Sequence, residues 1–82
     1  MMRVRVRFFS WLQDAVGLEE CRLTLGPGAR GSDLQTTLTA RYPQLERCWT
    51  VTRLAVNHDY RPWDHGLHDG DEVGLIPPVS GG

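Results

Sequence analysis

Four groups of residues have types and spacings that chemistry could use. His65 and His68 lie three apart, between Asp64 and Asp69 in the run DHGLHD, with His58 upstream. Zinc sites recruit such side chains, but a structural site closes on four ligands, usually including cysteine. Here Cys21 and Cys48 stand far apart and form no CxxC pair, and glycine and turn residues mark the histidine run as a loop. The acidic run Asp69–Glu72, DGDE, lacks the spaced ligand series of a calcium loop. Gly26 to Gly31, GPGARG, lacks both the lysine and the spacing of a phosphate-binding loop. No serine–histidine–aspartate or cysteine–histidine set is specified, so we expect no bound metal or cofactor and no stand-alone enzyme.

The fourth group is the end of the chain, Ile76 to Gly82, IPPVSGG. Pro77 and Pro78 carry no N–H, so they cannot extend a sheet ladder, and their fixed φ favours a stiff, extended exit. From Ile76 to Gly82 the extended reach is roughly 20 Å at about 3.3–3.6 Å per residue. Val79 is apolar and Ser80 small. Gly81 and Gly82 have no side chain, so they can thread a channel too narrow for a Cβ. A terminal carboxylate, with a pKa near 3.5, is ionised at neutral pH and reacts as an electrophile only after activation.

Something must hold that tail. Arg3 to Phe9 alternates strictly, with Val4, Val6 and Phe8 on one face and Arg3, Arg5 and Arg7 on the other, the period of a half-buried strand. The arginine face suits either solvent or an acidic partner. Ser10 to Gly17 predicts a short helix, with Ser10 as cap, Gln13 reaching back, Gly17 in the left-handed position, and Trp11, Leu12 and Val16 as its apolar side. Cys21 to Leu25 alternates again as a second strand. Ser32 to Tyr42 predicts the main helix: Ser32 and Gln35 form a capping box, Asp33 complements the dipole, and Leu34, Leu38 and Tyr42 make one stripe ended by Pro43. Leu45 and Trp49 cover the core from an irregular stretch. Arg53 to Asn57 is a third strand, Asn57 to Asp59 a turn, Tyr60 the start of a short return strand, and Glu72 to Ile76 the last strand after the DGDE turn. Strands around one long helix indicate an α+β fold, with the first and last strands pairing at the centre of a mixed sheet.

At 82 residues there is room for one core. A net charge of −1 argues against general attraction to nucleic acid or an anionic membrane surface. The alternating N-terminus is not a signal peptide, no segment has the apolar length of a membrane span, and a cytoplasmic protein is expected. In that compartment Cys21 and Cys48 are expected as reduced, buried hydrophobes. All nine basic residues are arginine, so no side-chain amine is present to accept an acyl group.

An acidic turn, a hydrophobic strand, Pro-Pro and a closing Gly-Gly follow in order from Asp69 to Gly82. Together with LAVN at 54–57 and the opening VRFFSWLQDAVG at 6–17, this run resembles the small, sulfur-carrying subunits of molybdopterin synthase in the ubiquitin-like MoaD/ThiS family. The departures are mild: Ser80 where alanine is common, and Leu75-Ile76 where aromatic residues often occur. The resemblance implies a β-grasp domain over 1–76, with about five strands, one main helix and one short helix, and a tail over 77–82. It also implies a mechanism. A ubiquitin-activating-type adenylyltransferase would use ATP to adenylate Gly82. A sulfur donor would convert the adenylate to a thiocarboxylate, the group this chain carries. The tail (Pro77, Pro78, Val79, Ser80, Gly81) would then enter a large catalytic subunit, in a heterotetramer of two small and two large subunits. There sulfur would pass to a cyclic pyranopterin monophosphate. Arg7, Phe9, Leu75 and Ile76 are the expected docking residues. Alternatives are a ThiS-like carrier for thiazole synthesis, a carrier for tRNA thiolation, a ubiquitin-like protein modifier, or an interaction module with an idle tail.

Overall fold

A computed structural model describes residues 1–78; Val79, Ser80, Gly81 and Gly82 lie outside the described residues, and so do the roles expected of them. The alternation at the start of the chain folds as strand β1, Met2–Phe8, whose even residues are buried and odd residues exposed. Helix α1, Trp11–Val16, follows, then β2, Glu20–Leu25, antiparallel to β1. Helix α2 spans Gly31–Arg41 and a 3₁₀ turn spans Pro43–Leu45. The remaining strands are β3, Arg53–Val56, β4, Asp59–Arg61, and β5, Glu72–Ile76.

These strands form one mixed sheet in the order β2-β1-β5-β3-β4. The expected central pair is present: β5 runs parallel to β1, with Val6 opposite Val73 and Phe8 opposite Leu75. The inward residues of the sheet (Val4, Val6, Phe8, Leu23, Leu54, Val73 and Leu75) pack with Leu34 and Leu38 of α2, Leu12 of α1 and Leu45. Each such side chain contributes about 1.5–3 kcal/mol by leaving water. β3 and β4 are joined by Asn57 and His58, both at positive φ (50° and 74°), with Val56 paired to Asp59. A two-residue loop with both residues at positive φ matches the right-handed twist of its strands. The α+β, ubiquitin-like β-grasp expected from the sequence is therefore the observed fold.

Both helix starts depart from expectation. Ser10 sits at φ 55° and makes no side-chain cap, while Gln13 Nε2 instead donates to the Phe8 carbonyl at 3.0 Å. Gly17 closes α1 in the left-handed conformation as expected, but Trp11 is 40% exposed and lies outside the core. On α2 the cap is Arg30, whose N–H donates to Asp33 Oδ2 at 2.7 Å; Ser32 falls inside the helix. The N–H groups of Gly31 and Ser32 donate to the carbonyls of His65 (3.1 Å) and Trp63 (2.8 Å), so this helix start is docked against the segment before β5. Cys48 is buried and Cys21 half-buried, both are free, and burial pushes both thiols up. No described helix is long and apolar enough to cross a membrane.

A Cβ on Gly31 would lie 2.7 Å from both Leu54 Cδ2 and the Trp63 carbonyl oxygen. Backbone cannot yield as a side chain can, so Gly31→Ala is expected to destabilise by about 1–3 kcal/mol. Chemical denaturation checks this; a midpoint equal to that of the parent chain would show that the contact relaxes freely.

Candidate docking face and tail root

Because β5 lies at the centre of the sheet and residues 77–82 follow it directly in sequence, the tail is rooted on a strand hydrogen-bonded on both sides. Pro77 is buried and Pro78 exposed, so the chain reaches the surface there. The Phe9 N–H donates to the Leu75 carbonyl at 3.3 Å, tying the residue after β1 to the end of β5.

Two faces of the sheet then divide the expected docking residues. Leu75 is 0% exposed and belongs to the core, because alternation turns it toward α2; its expected place on the surface is corrected to one of support from beneath. Arg7, Phe9 and Ile76 do come together on the opposite, open face. With Ala55, His58, Tyr60, Glu72 and Gly74 they line a groove of about 200 Å³. Gly74 forms its floor. A Cβ there would stand 3.2 Å from Phe9 Cε2 and 3.7 Å from the Ala55 Cβ, so its absence lets the Phe9 ring lie against the sheet. The rings at either side are each capped by a guanidinium: Arg7 Cζ is 5.3 Å from the Phe9 centroid and Arg53 Cζ 5.5 Å from that of Tyr60.

Tyr60, 60% exposed, is the residue that sequence reasoning passed over. Its register carries the signal. The two-residue turn sets Tyr60 opposite Ala55, and thus on the same open face as Gly74 and Ile76. Tyr60 and Ile76 also line a second depression, with Val51, Arg53, Pro77 and Pro78. The apolar surface therefore continues from the groove to the root of the tail.

Glu72 organises the charges beside the groove. Its Oε1 pairs with Arg5 Nη2, and its Oε2 lies 3.9 Å from Arg7 Nη1 and 3.3 Å from His58 Nε2. The hydrogen bond from Arg5 holds the Glu72 carboxyl below the usual glutamate range, and the charges of Arg5, His58 and Arg7 act in the same direction. The other acidic residues of the DGDE turn are structural. Asp69 Oδ1 accepts the Arg3 N–H at 2.8 Å; buried Asp71 accepts from Asn57 Nδ2 at 3.0 Å and from the His68 N–H at 2.8 Å. This turn locks the start of β5 against β1 and the β3–β4 turn. Among the described residues no group of three or more metal-ligating side chains is assembled.

Residues 6–82 match the family described as the ThiS family. A molybdopterin synthase sulfur carrier subunit from Chlamydomonas reinhardtii is 39% identical over 83 residues, covering 99% of this chain and 100% of that protein. The structure of a molybdopterin converting factor subunit 1 from Pyrococcus furiosus is similar at a TM-score of 0.88 and 31% identity, covering 96% of this chain and 100% of that one. A chain in the protein–protein complex of subunits 1 and 2 of the molybdopterin-converting factor from Helicobacter pylori is similar at a TM-score of 0.70 and 27% identity, covering 99% of this chain and 100% of that one.

The Glu72 network has a consequence for stability. A carboxyl with a lowered folded-state pKa adds stability that is present above its unfolded pKa, about 4.3, and is lost as pH falls through the folded value. Glu72→Gln should therefore flatten the acid limb of the stability–pH curve below about pH 5. Thermal melts of both proteins across that range check it, and parallel curves would mean the Arg5 pair adds nothing to folding.

Proposed function

The chain belongs to the ThiS family, and we propose that it is the small, sulfur-carrying subunit of a molybdopterin synthase. The observation that supports this best is the 39% identity to a molybdopterin synthase sulfur carrier subunit over nearly the whole of both chains. The physical design agrees with it. A stiff exit from the central strand leads to a Gly-Gly end, and a continuous apolar surface runs beside the exit.

The Gly82 carboxylate is activated by an adenylyltransferase of the ubiquitin-activating type. One carboxylate oxygen attacks the α-phosphorus of ATP, pyrophosphate leaves, and an acyl-adenylate forms. Hydrosulfide supplied by a sulfur donor attacks the acyl carbon, AMP departs, a proton is lost, and the terminus becomes a thiocarboxylate. Splitting transfer in this way replaces one difficult displacement with easier ones. The acyl-adenylate also acylates amines, and this chain has no lysine side chain with which to capture its own activated end.

The loaded tail then enters the large subunit, where the acid–base groups and the pterin pocket reside. The thiocarboxylate sulfur bonds to the cyclic pyranopterin monophosphate. Water hydrolyses the resulting acyl–sulfur bond, which leaves the sulfur on the pterin and returns Gly82 as a carboxylate. Glycine at 81 and 82 keeps the threading segment as thin as a peptide can be. The groove of Phe9, Tyr60, Gly74 and Ile76 seats apolar residues of the large subunit, with two small and two large subunits in the assembly. This chain is a carrier within that enzyme, working in the cytoplasm, and not the catalyst.

Incubation with ATP, the activating enzyme and a sulfide source should raise the intact mass by the difference between sulfur and oxygen. Deleting Gly82 should abolish that shift with the melting temperature nearly unchanged. Failure of the full-length chain to gain the mass, with the enzyme shown active on another carrier, would contradict a carrier role.

Ile76→Asp places a charge in the groove and is expected to weaken binding to the large subunit at least tenfold, about 1.4 kcal/mol. Calorimetric titration measures it, and wild-type affinity in that variant would remove the groove from the interface.

A further inference from the structure

We propose that the basic half of the open sheet face, centred on Arg3 and Arg22, is a second docking element that receives an acidic segment of the large subunit. This rests on the carrier assignment above and adds to it a chemistry of recognition separate from the apolar groove.

The charges on this face are unevenly matched. Glu72 occupies Arg5 and Arg7, and Glu20 Oε2 lies 3.9 Å from Arg5 Nε. Arg3 and Arg22 form no ion pair among the described residues, although both are exposed. With Arg5, Gly70 and Glu72 they line one shallow depression. Arg22 is moreover the register partner of Arg5 across β1 and β2. Like charges placed directly opposite in a sheet oppose folding, so the depression holds positive charge that local stability disfavours.

The protein as a whole carries a net charge of −1. A basic depression on such a surface does not serve general attraction to polyanions; it matches a local patch of carboxylates on a protein. Arg3 and Arg5 project on one side of β1 at two-residue spacing, about 6.6–6.8 Å. An extended segment with acidic residues at alternate positions repeats that spacing. Glu72 lines both the depression and the apolar groove, so a partner seated in the groove lies next to Arg22 and Arg3.

The test is calorimetric titration of the cognate large subunit with wild-type chain, Arg22→Glu, Arg3→Glu and, as a control away from the sheet, Arg47→Glu. At about 0.01 M ionic strength, where the screening length is about 30 Å, Arg22→Glu and Arg3→Glu should each bind about tenfold more weakly than wild type. At about 1 M, where it is about 3 Å, the difference should vanish. The control, away from the proposed contact, should lose less than either at low salt and match wild type at high salt. The melting temperature of Arg22→Glu should equal or exceed that of wild type, because attraction to Arg5 replaces repulsion; Arg3→Glu decides the matter if the edge strand of Arg22→Glu fails to fold. Wild-type affinity in both variants at low salt would overturn the proposal, and so would a loss that persists at high salt. A single-stranded DNA oligonucleotide serves as the competing probe: binding that Arg22→Glu abolishes, with subunit affinity intact, would overturn it in favour of nucleic acid. Absence of any binding by the wild-type chain would instead strike the carrier assignment itself.

Discussion

Everything in this molecule depends on the parallel pairing of its first and last strands. Parallel neighbours cannot be joined by a tight turn; they require a crossover. Here almost the whole chain between Phe9 and Asp71, both helices included, is that crossover. The pairing buries Val6 against Val73 and Phe8 against Leu75 on one side, and sets Arg5 beside Glu72 and Arg7 beside Gly74 on the other. A single register thus determines the core, the ion-pair hub and the floor of the groove. A slip by one residue would turn Leu75 to solvent and Glu72 into the core. The Asp69–Glu72 turn guards against that slip, since its carboxylates and backbone hold Arg3, Asn57 and His68.

Much of this was legible in the sequence, because the signals are local and redundant. The alternation of β1, the leucine stripe of α2 and the turn expected over Asn57–Asp59, of which Asp59 proves to open β4, each report a short-range preference that the tertiary structure then uses. The helix starts were not legible. A Ser-x-x-Gln pattern at Ser32 predicts a cap there, but the nearby N–H groups are taken by the carbonyls of Trp63 and His65, about thirty residues away. Once those carbonyls supply acceptors, the helix begins at Gly31 and Asp33 caps it through the Arg30 N–H. At Ser10 the same kind of pattern yields to the need to turn Phe9 out of β1, and the residue takes a positive φ that costs on the order of 1–3 kcal/mol for a non-glycine residue.

The open face was only half legible for a related reason. Phe9 and Ile76 can be assigned to it by counting along their own strands. Tyr60, Ala55 and Gly74 join it only when the β3–β4 and β3–β5 registers are known. Gly74 would read as a weak point in a strand, since glycine adds no side chain to pack. In the structure it is the space that the Phe9 ring fills.

These placements account for a division of labour between the two sides of β5. Successive residues alternate between the core and the open face: Val73 and Leu75 pack inward, while Glu72, Gly74 and Ile76 line the groove. Pro77, at the root of the tail, follows directly on this strand, so movement of that residue would disturb the central ladder. In the proposed carrier role, such a root would lower the ordering cost of delivering the extension from Pro77 to Gly82 into a partner's site. The two prolines extend the same restriction one step beyond the sheet, where hydrogen bonds no longer supply it. In that proposed role, glycine at 81 and 82 would supply the backbone freedom that entry into a narrow channel requires.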